Sequence, residues 1–83
     1  MNRKQRAILE AVYQVRPNIP WRDIEALLKA VGAEIEAGEG SRVRVALKGK
    51  RAVFHHPHPG PMTFRYCVRD VREFLRSVGV KPK

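Results

Sequence analysis

The stretch EIEAGEGSRVRVALKGKRAVFH, residues 34–55, decides how the rest of the chain must be arranged. Apolar and polar residues alternate in it with a period of two, the mark of half-buried strands. Ile35 and Ala37 alternate with Glu34 and Glu36, and Val43, Val45 and Leu47 with Arg42, Arg44 and Ala46. A third run spans Arg51 to His55 and ends before Pro57 and Pro59, which cannot donate to a sheet ladder. Gly38-Glu39-Gly40 and Lys48-Gly49 read as the turns between these runs. A two-residue turn at Lys48-Gly49 pairs Val45 with Ala52, Val43 with Phe54 and Arg42 with His55. A three-residue turn at Gly38-Glu39-Gly40 pairs Ile35 with Val43, Glu36 with Arg42 and Glu34 with Arg44. Every large apolar side chain except Val53 then lies on one face, whereas a one-residue slip would bury the arginines.

Helices flank this sheet. Ile8, Ala11, Val12 and Val15 recur at helical spacing up to Pro17, which predicts an N-terminal helix over residues 3–16. Pro20 suits a first helical position, and Ile24, Leu27, Leu28 and Val31 follow as a buried stripe ending at Gly32. The last helix runs from about Tyr66 to Val78, with Val68, Val71, Phe74, Leu75 and Val78 apolar and Gly79 as its stop. The order is helix, helix, three antiparallel strands, helix. It predicts one α+β domain over residues 1–83, its helices covering the apolar sheet face and its other face wet.

A chain of 83 residues with 43% apolar residues suffices for one modest core and argues against disorder. No apolar run approaches the roughly 18 residues of a membrane span. The charged, periodic N-terminus does not read as a secretory signal. Cys67 is the only cysteine, so neither an internal disulfide nor a cysteine-rich zinc site is expected, and the reducing cytoplasm is the expected compartment. Cys67 and Trp21 both read as core residues.

The net charge of +9 is one-sided. Residues 1–40 balance six basic against six acidic groups, while residues 41–83 hold eleven basic groups against Asp70 and Glu73 alone. Such a field favours an anionic partner, either nucleic acid or an acidic protein. On the last helix Arg65, Arg69, Arg72 and Arg76 fall in one stripe about 60° wide, opposite the apolar face, suited to tracking phosphates.

On the wet face the predicted register gathers Glu36, Arg42 and His55, with Glu34, Arg44 and Arg51 close by. A carboxylate, a guanidinium and an imidazole are the parts that metal-free RNA cleavage needs. One group takes the 2′-OH proton, another protonates the leaving 5′-oxygen, and a cation holds the charge building on phosphorus. Arginine suits the last role because its planar fork matches two phosphate oxygens. The same Glu–Arg pairs also occur across antiparallel strands with no function beyond stabilising them. His55, His56 and His58 crowd before and between prolines; His55 or His58 acting as acid or base is the better functional reading, and zinc binding the lesser one, with no cysteine or carboxylate at ligand spacing.

From Trp21 onward the chain resembles the HicA family of bacterial toxins, small ribonucleases of type II toxin–antitoxin systems. The resemblance rests on the segment from Asp23 to Ala33, on Gly40-Ser41 opening a strand, on a strand ending in His-Pro, and on the helix from Val71 to Val80. It covers about three quarters of the chain and leaves the first helix as an extension. It implies a fold like the double-stranded-RNA-binding domain, α-β-β-β-α, over residues 20–79. It also implies a toxin that cleaves mRNA and inhibits translation, and a HicB-type antitoxin covering the basic face. The family's usual signature is Gly-Ser-His, where this chain has Gly40-Ser41-Arg42. An arginine, with a pKa above about 12, cannot be a general base. Either a histidine from His55 to His58 has taken over, or the chain binds RNA without cutting it. The expected catalytic set is therefore His55, Arg42, Glu36 and His58. The expected RNA-binding set is Arg42, Arg44, Arg51, Arg65, Arg69, Arg72 and Arg76. No cofactor, metal, membrane or small-molecule ligand is expected.

Overall fold

The computed structural model describes residues 1–55 and 61–82. Its elements are α1 (Arg3–Tyr13), α2 (Trp21–Ala30), β1 (Glu34–Ala37), β2 (Arg42–Leu47), β3 (Lys50–His55) and α3 (Arg65–Ser77). The strands form one antiparallel sheet in the order β1-β2-β3. α2 lies against β1 and α3 against β3, while α1 packs on both of those helices and on no strand. The architecture is the α+β arrangement expected from the periodicities, and it is like the double-stranded-RNA-binding domain, as the resemblance implies.

The hairpin between β2 and β3 has the expected register, with Val45 opposite Ala52, Val43 opposite Phe54 and Arg42 opposite His55. Lys48 and Gly49 both have positive φ, 50° and 78°, as a two-residue turn matching the strand twist requires. The hairpin between β1 and β2 differs from expectation. Ile35 faces Val45, Glu36 faces Arg44 and Ala37 faces Val43, a displacement of two residues. The loop is still three residues long, but it is Glu39-Gly40-Ser41. Gly38 N–H donates to the Arg42 carbonyl at 2.8 Å, and Arg42 N–H to that of Glu39 at 3.2 Å. Gly40 supplies the left-handed turn residue, φ 62°. Gly38 instead takes the ladder position where a Cβ would meet the Arg42 oxygen at 3.2 Å. Because strand side chains alternate with a period of two, a shift of two leaves every residue on its expected face.

α1 stops at Tyr13 rather than at residue 16. Its end is closed by Arg16 N–H donating to the Ala11 carbonyl, with Val15 in the left-handed region at φ 51°. Pro17 disfavours helix at the residue before it, so the chain must turn there. The other end carries a capping box: the Asn2 side chain accepts from Gln5 N–H and the Gln5 side chain accepts from Asn2 N–H. α1 buries Leu9 and Val12. Further ties are Lys4 to Asp23 at 3.5 Å, the Tyr13 hydroxyl donating to the Val80 carbonyl, and the Arg76 guanidinium 5.7 Å from the Tyr13 ring centroid. Pro20 caps α2 rather than opening it.

The core holds Trp21, Ile24, Leu27 and Leu28 from α2, Val45, Leu47 and Phe54 from the sheet, and Cys67, Val68, Val71, Phe74 and Leu75 from α3. Phe54 is its aromatic centre, 6.5 Å from Trp21 and 5.8 Å from Phe74 between ring centroids. Val53 stands out on the opposite face, 59% exposed. Burial, and then the nearby Asp70 carboxylate, push the Cys67 thiol up to about 11, partly offset by a hydrogen bond with the His55 backbone.

Three outcomes follow from this packing. Leu27→Ala, at a fully buried site, lowers unfolding free energy by about 2–5 kcal/mol in urea titration. Tyr13→Phe lowers it by about 0.5–1.5 kcal/mol, the loss of one hydrogen bond between helix and tail. Cys67 resists thiol reagents at pH 8 in the native protein and reacts on denaturation. Its folded thiol binds its proton more tightly than the unfolded one, so stability falls as pH rises from about 9 through about 11, and Cys67→Ser removes that dependence.

Candidate functional site

The open face of the sheet carries Glu34 and Glu36 from β1, Arg42 and Arg44 from β2, and Arg51, Val53 and His55 from β3; all seven are exposed. α1 does not cover this face, since it neighbours α2 and α3 only. The residues form three cross-strand rows. Glu34, Ala46 and Arg51 make the first, and Glu36, Arg44 and Val53 the second. Arg42 and His55 make the third, at the end where β3 stops.

Of the expected trio, Arg42 and His55 are direct partners across β2 and β3. Glu36 is not opposite Arg42 as expected. It lies one row away, paired with Arg44 at 3.6 Å between Oε1 and the guanidinium. The cause is the loop: placing its centre at Gly40 moves β1 two residues along β2 and sets Gly38 beside Arg42. Arg42 thus has no side chain next to it on the β1 side. Diagonal neighbours across antiparallel strands remain within reach of long side chains, so Glu36 still borders the Arg42 row. The Glu36–Arg44 pair is solvent-exposed and worth no more than about 0–1 kcal/mol. Among the described residues Arg42 and Arg51 make no ion pair, so these guanidinium groups are available to an anion. His56 and His58 lie outside the described residues. Among the described residues no group of three or more His, Cys, Asp or Glu is arranged to hold a metal ion.

The arginine stripe on α3 divides in two. Arg72 Nε donates to Glu73 Oε2 at 2.7 Å, and Arg76 reaches the same oxygen at 3.2 Å while covering the Tyr13 ring. Arg65 and Arg69 are exposed and make no ion pair among the described residues. The half of the stripe near the start of α3 is therefore the half with unspent charge.

Trp21 is 5% exposed, and Tyr13 is occupied by Val80 and Arg76. The exposed aromatics are instead Phe64 and Tyr66, at 53% and 48%. The available signal was local: Phe64 falls outside the apolar stripe of α3, and Tyr66 lies beside Arg65 and Arg69.

No described helix is long and apolar enough to cross a membrane. Comparison with curated proteins and with solved structures gives no match. Residues 21–80 match the family described as the HicA toxin of bacterial toxin–antitoxin. That span begins at α2 and runs past α3, enclosing the whole sheet face and leaving α1 outside. The chain belongs to the HicA family of bacterial toxins, which act in pairs with an antitoxin.

Proposed function

We propose that this chain is an endoribonuclease toxin that cleaves mRNA without a metal, using the row formed by Arg42 and His55. What carries the reading is that pairing: an imidazole and an unpaired guanidinium are direct cross-strand partners on an open, basic face. His55 exchanges a proton with the 2′-OH or with the leaving 5′-oxygen. The 2′-oxygen forms a bond to phosphorus, the bond from phosphorus to the 5′-oxygen breaks, and a cyclic phosphate and a free 5′-OH remain. Arg42 and Arg44 hold the phosphate oxygens as charge builds, and Arg51 extends the cationic surface. Glu36, beside Arg44, serves as the second proton carrier or orients the guanidinium. His58 is the other candidate for that proton. The protein acts in the cytoplasm, and a HicB-type antitoxin silences it by covering this basic face.

A second reading is supported by the sequence Gly40-Ser41-Arg42, where the resemblance implies Gly-Ser-His: a guanidinium cannot take a proton at neutral pH. On that reading the chain binds RNA through Arg42, Arg44, Arg51, Arg65, Arg69, Arg72 and Arg76 and does not cut it.

Purified protein incubated with mRNA in excess EDTA separates the two. The nuclease leaves product in EDTA, and His55→Ala lowers its rate by roughly 10²–10⁴-fold. Abolition of cleavage by the chelator, or undiminished cleavage by both His55→Ala and His58→Ala, overturns the proposed site. Retention of RNA that weakens steeply with salt, without product, establishes the binding module instead. Gly38→Ala sets a methyl 3.2 Å from the Arg42 carbonyl oxygen and 3.3 Å from its Cβ, so the Arg42 backbone has to shift; cleavage falls, and the thermal midpoint falls with it.

A further inference from the structure

The segment entering α3 presents two aromatic rings to solvent for which the fold has no use. The Trp21 N–H donates to the Pro61 carbonyl at 2.9 Å and the Thr63 N–H to that of Ile19 at 2.8 Å, so residues 61–63 run antiparallel to residues 19–21. Side chains along an extended segment alternate. Thr63 accordingly points inward, 4% exposed, and Met62 and Phe64 point outward, at 43% and 53%. The exposure of Phe64 is therefore fixed by backbone pairing.

Phe64 is also the N-cap of α3 and makes no capping hydrogen bond. Ser, Thr, Asp or Asn would stabilise that helix end, and any of them would hide less apolar surface from use. Neither capping nor packing accounts for a phenylalanine there. Tyr66 adds a second exposed ring, 5.8 Å from the first between centroids and inclined at 47°. Arg65 lies between them in sequence, and Arg69 is a helical neighbour of both Arg65 and Tyr66. These are the α3 arginines with no acidic partner among the described residues. The cluster sits on the helix that lies against β3, the strand that ends at His55.

We infer that Phe64 and Tyr66 form a stacking site for two unpaired RNA bases, with Arg65 and Arg69 on the phosphates that join them. Aromatic faces interleaved with cations are what single-stranded nucleic acid recognises, because every base has a stacking face and every link a charge. The inclination of the rings gives each its own base, so the two bases are splayed rather than stacked on each other. Bases in a duplex are already stacked and shield their faces, so this site selects single strands. An acidic polypeptide would match the arginines but gains little from two bare rings.

This inference rests on the RNA-directed reading above and deepens it. Its test is binding of a short unstructured RNA, and of a duplex of equal length, to the full chain and to Phe64→Ala/Tyr66→Ala. Both side chains are exposed, and an unchanged thermal midpoint verifies the fold. The double variant is expected to lose about 30-fold or more in affinity for the single strand and little for the duplex. Tyr66→Trp is expected to retain affinity, and the new indole to be quenched by the single strand but not by polyglutamate. Equal losses for single strand and duplex, or no loss for either, overturn the stacking site while leaving RNA binding intact. Quenching and binding by polyglutamate alone overturn it in favour of a protein-docking surface. Failure of the unaltered chain to bind any RNA defeats the underlying reading instead.

Discussion

Everything in this molecule depends on the alternation of side chains along β2, the central strand of the sheet. Val45 and Leu47 point into the core and meet α2, Phe54 and α3, so Arg42 and Arg44 have to point the other way. The buried side chains make this choice stable, each contributing about 1.5–3 kcal/mol on burial. The exposed ones inherit a geometry they do nothing to create. A basic face therefore comes as the obligatory reverse of an apolar one. Its acidic residues lie on β1, and at the end of the β2–β3 hairpin Arg42, with no ion pair among the described residues, stands beside His55.

The division of labour among the helices follows from the same constraint. α2 and α3 shield the apolar face, each lying against one outer strand. α1, which precedes the family-matching span, packs on those two helices and ties itself to the C-terminal tail through Tyr13 and Val80. Its Tyr13 ring lies under Arg76, the α3 arginine that Glu73 of the same helix already pairs. The α3 arginines with no ion pair among the described residues, Arg65 and Arg69, are left at the opposite end of α3, in the same stretch as Phe64 and Tyr66. Arg42 and Arg51 on the sheet face, and Arg65 and Arg69 at the start of α3, are thus the arginines of these two surfaces with no ion pair among the described residues.

The hairpin between β1 and β2 shows where a sequence argument stops short. Polar alternation can distinguish registers one residue apart, since that slip exchanges the two faces. It cannot distinguish registers two apart, since both bury the same side chains. Between Gly38-Glu39-Gly40 and Glu39-Gly40-Ser41 the choice turned on which glycine takes the left-handed conformation and which takes the close approach to Arg42. That decision moved Glu36 from Arg42 to Arg44 and reshaped the site without touching the core.

The amino-acid order alone determined the sequence of elements, the identity of the buried stripe on α2 and α3, the Lys48-Gly49 turn, the Arg42–His55 pairing and the basic second half. All of these are set by periodicity and by residues with narrow backbone preferences, which act over a few positions. The tertiary structure decided the rest. It placed α1 away from the sheet, set Phe54 as the neighbour of Trp21, drew Arg76 onto the Tyr13 ring, and left Phe64 and Tyr66 in solvent. These outcomes depend on which distant segments occupy the same space, as when residues 61–63 pair with 19–21, and local spacing carries no record of that competition.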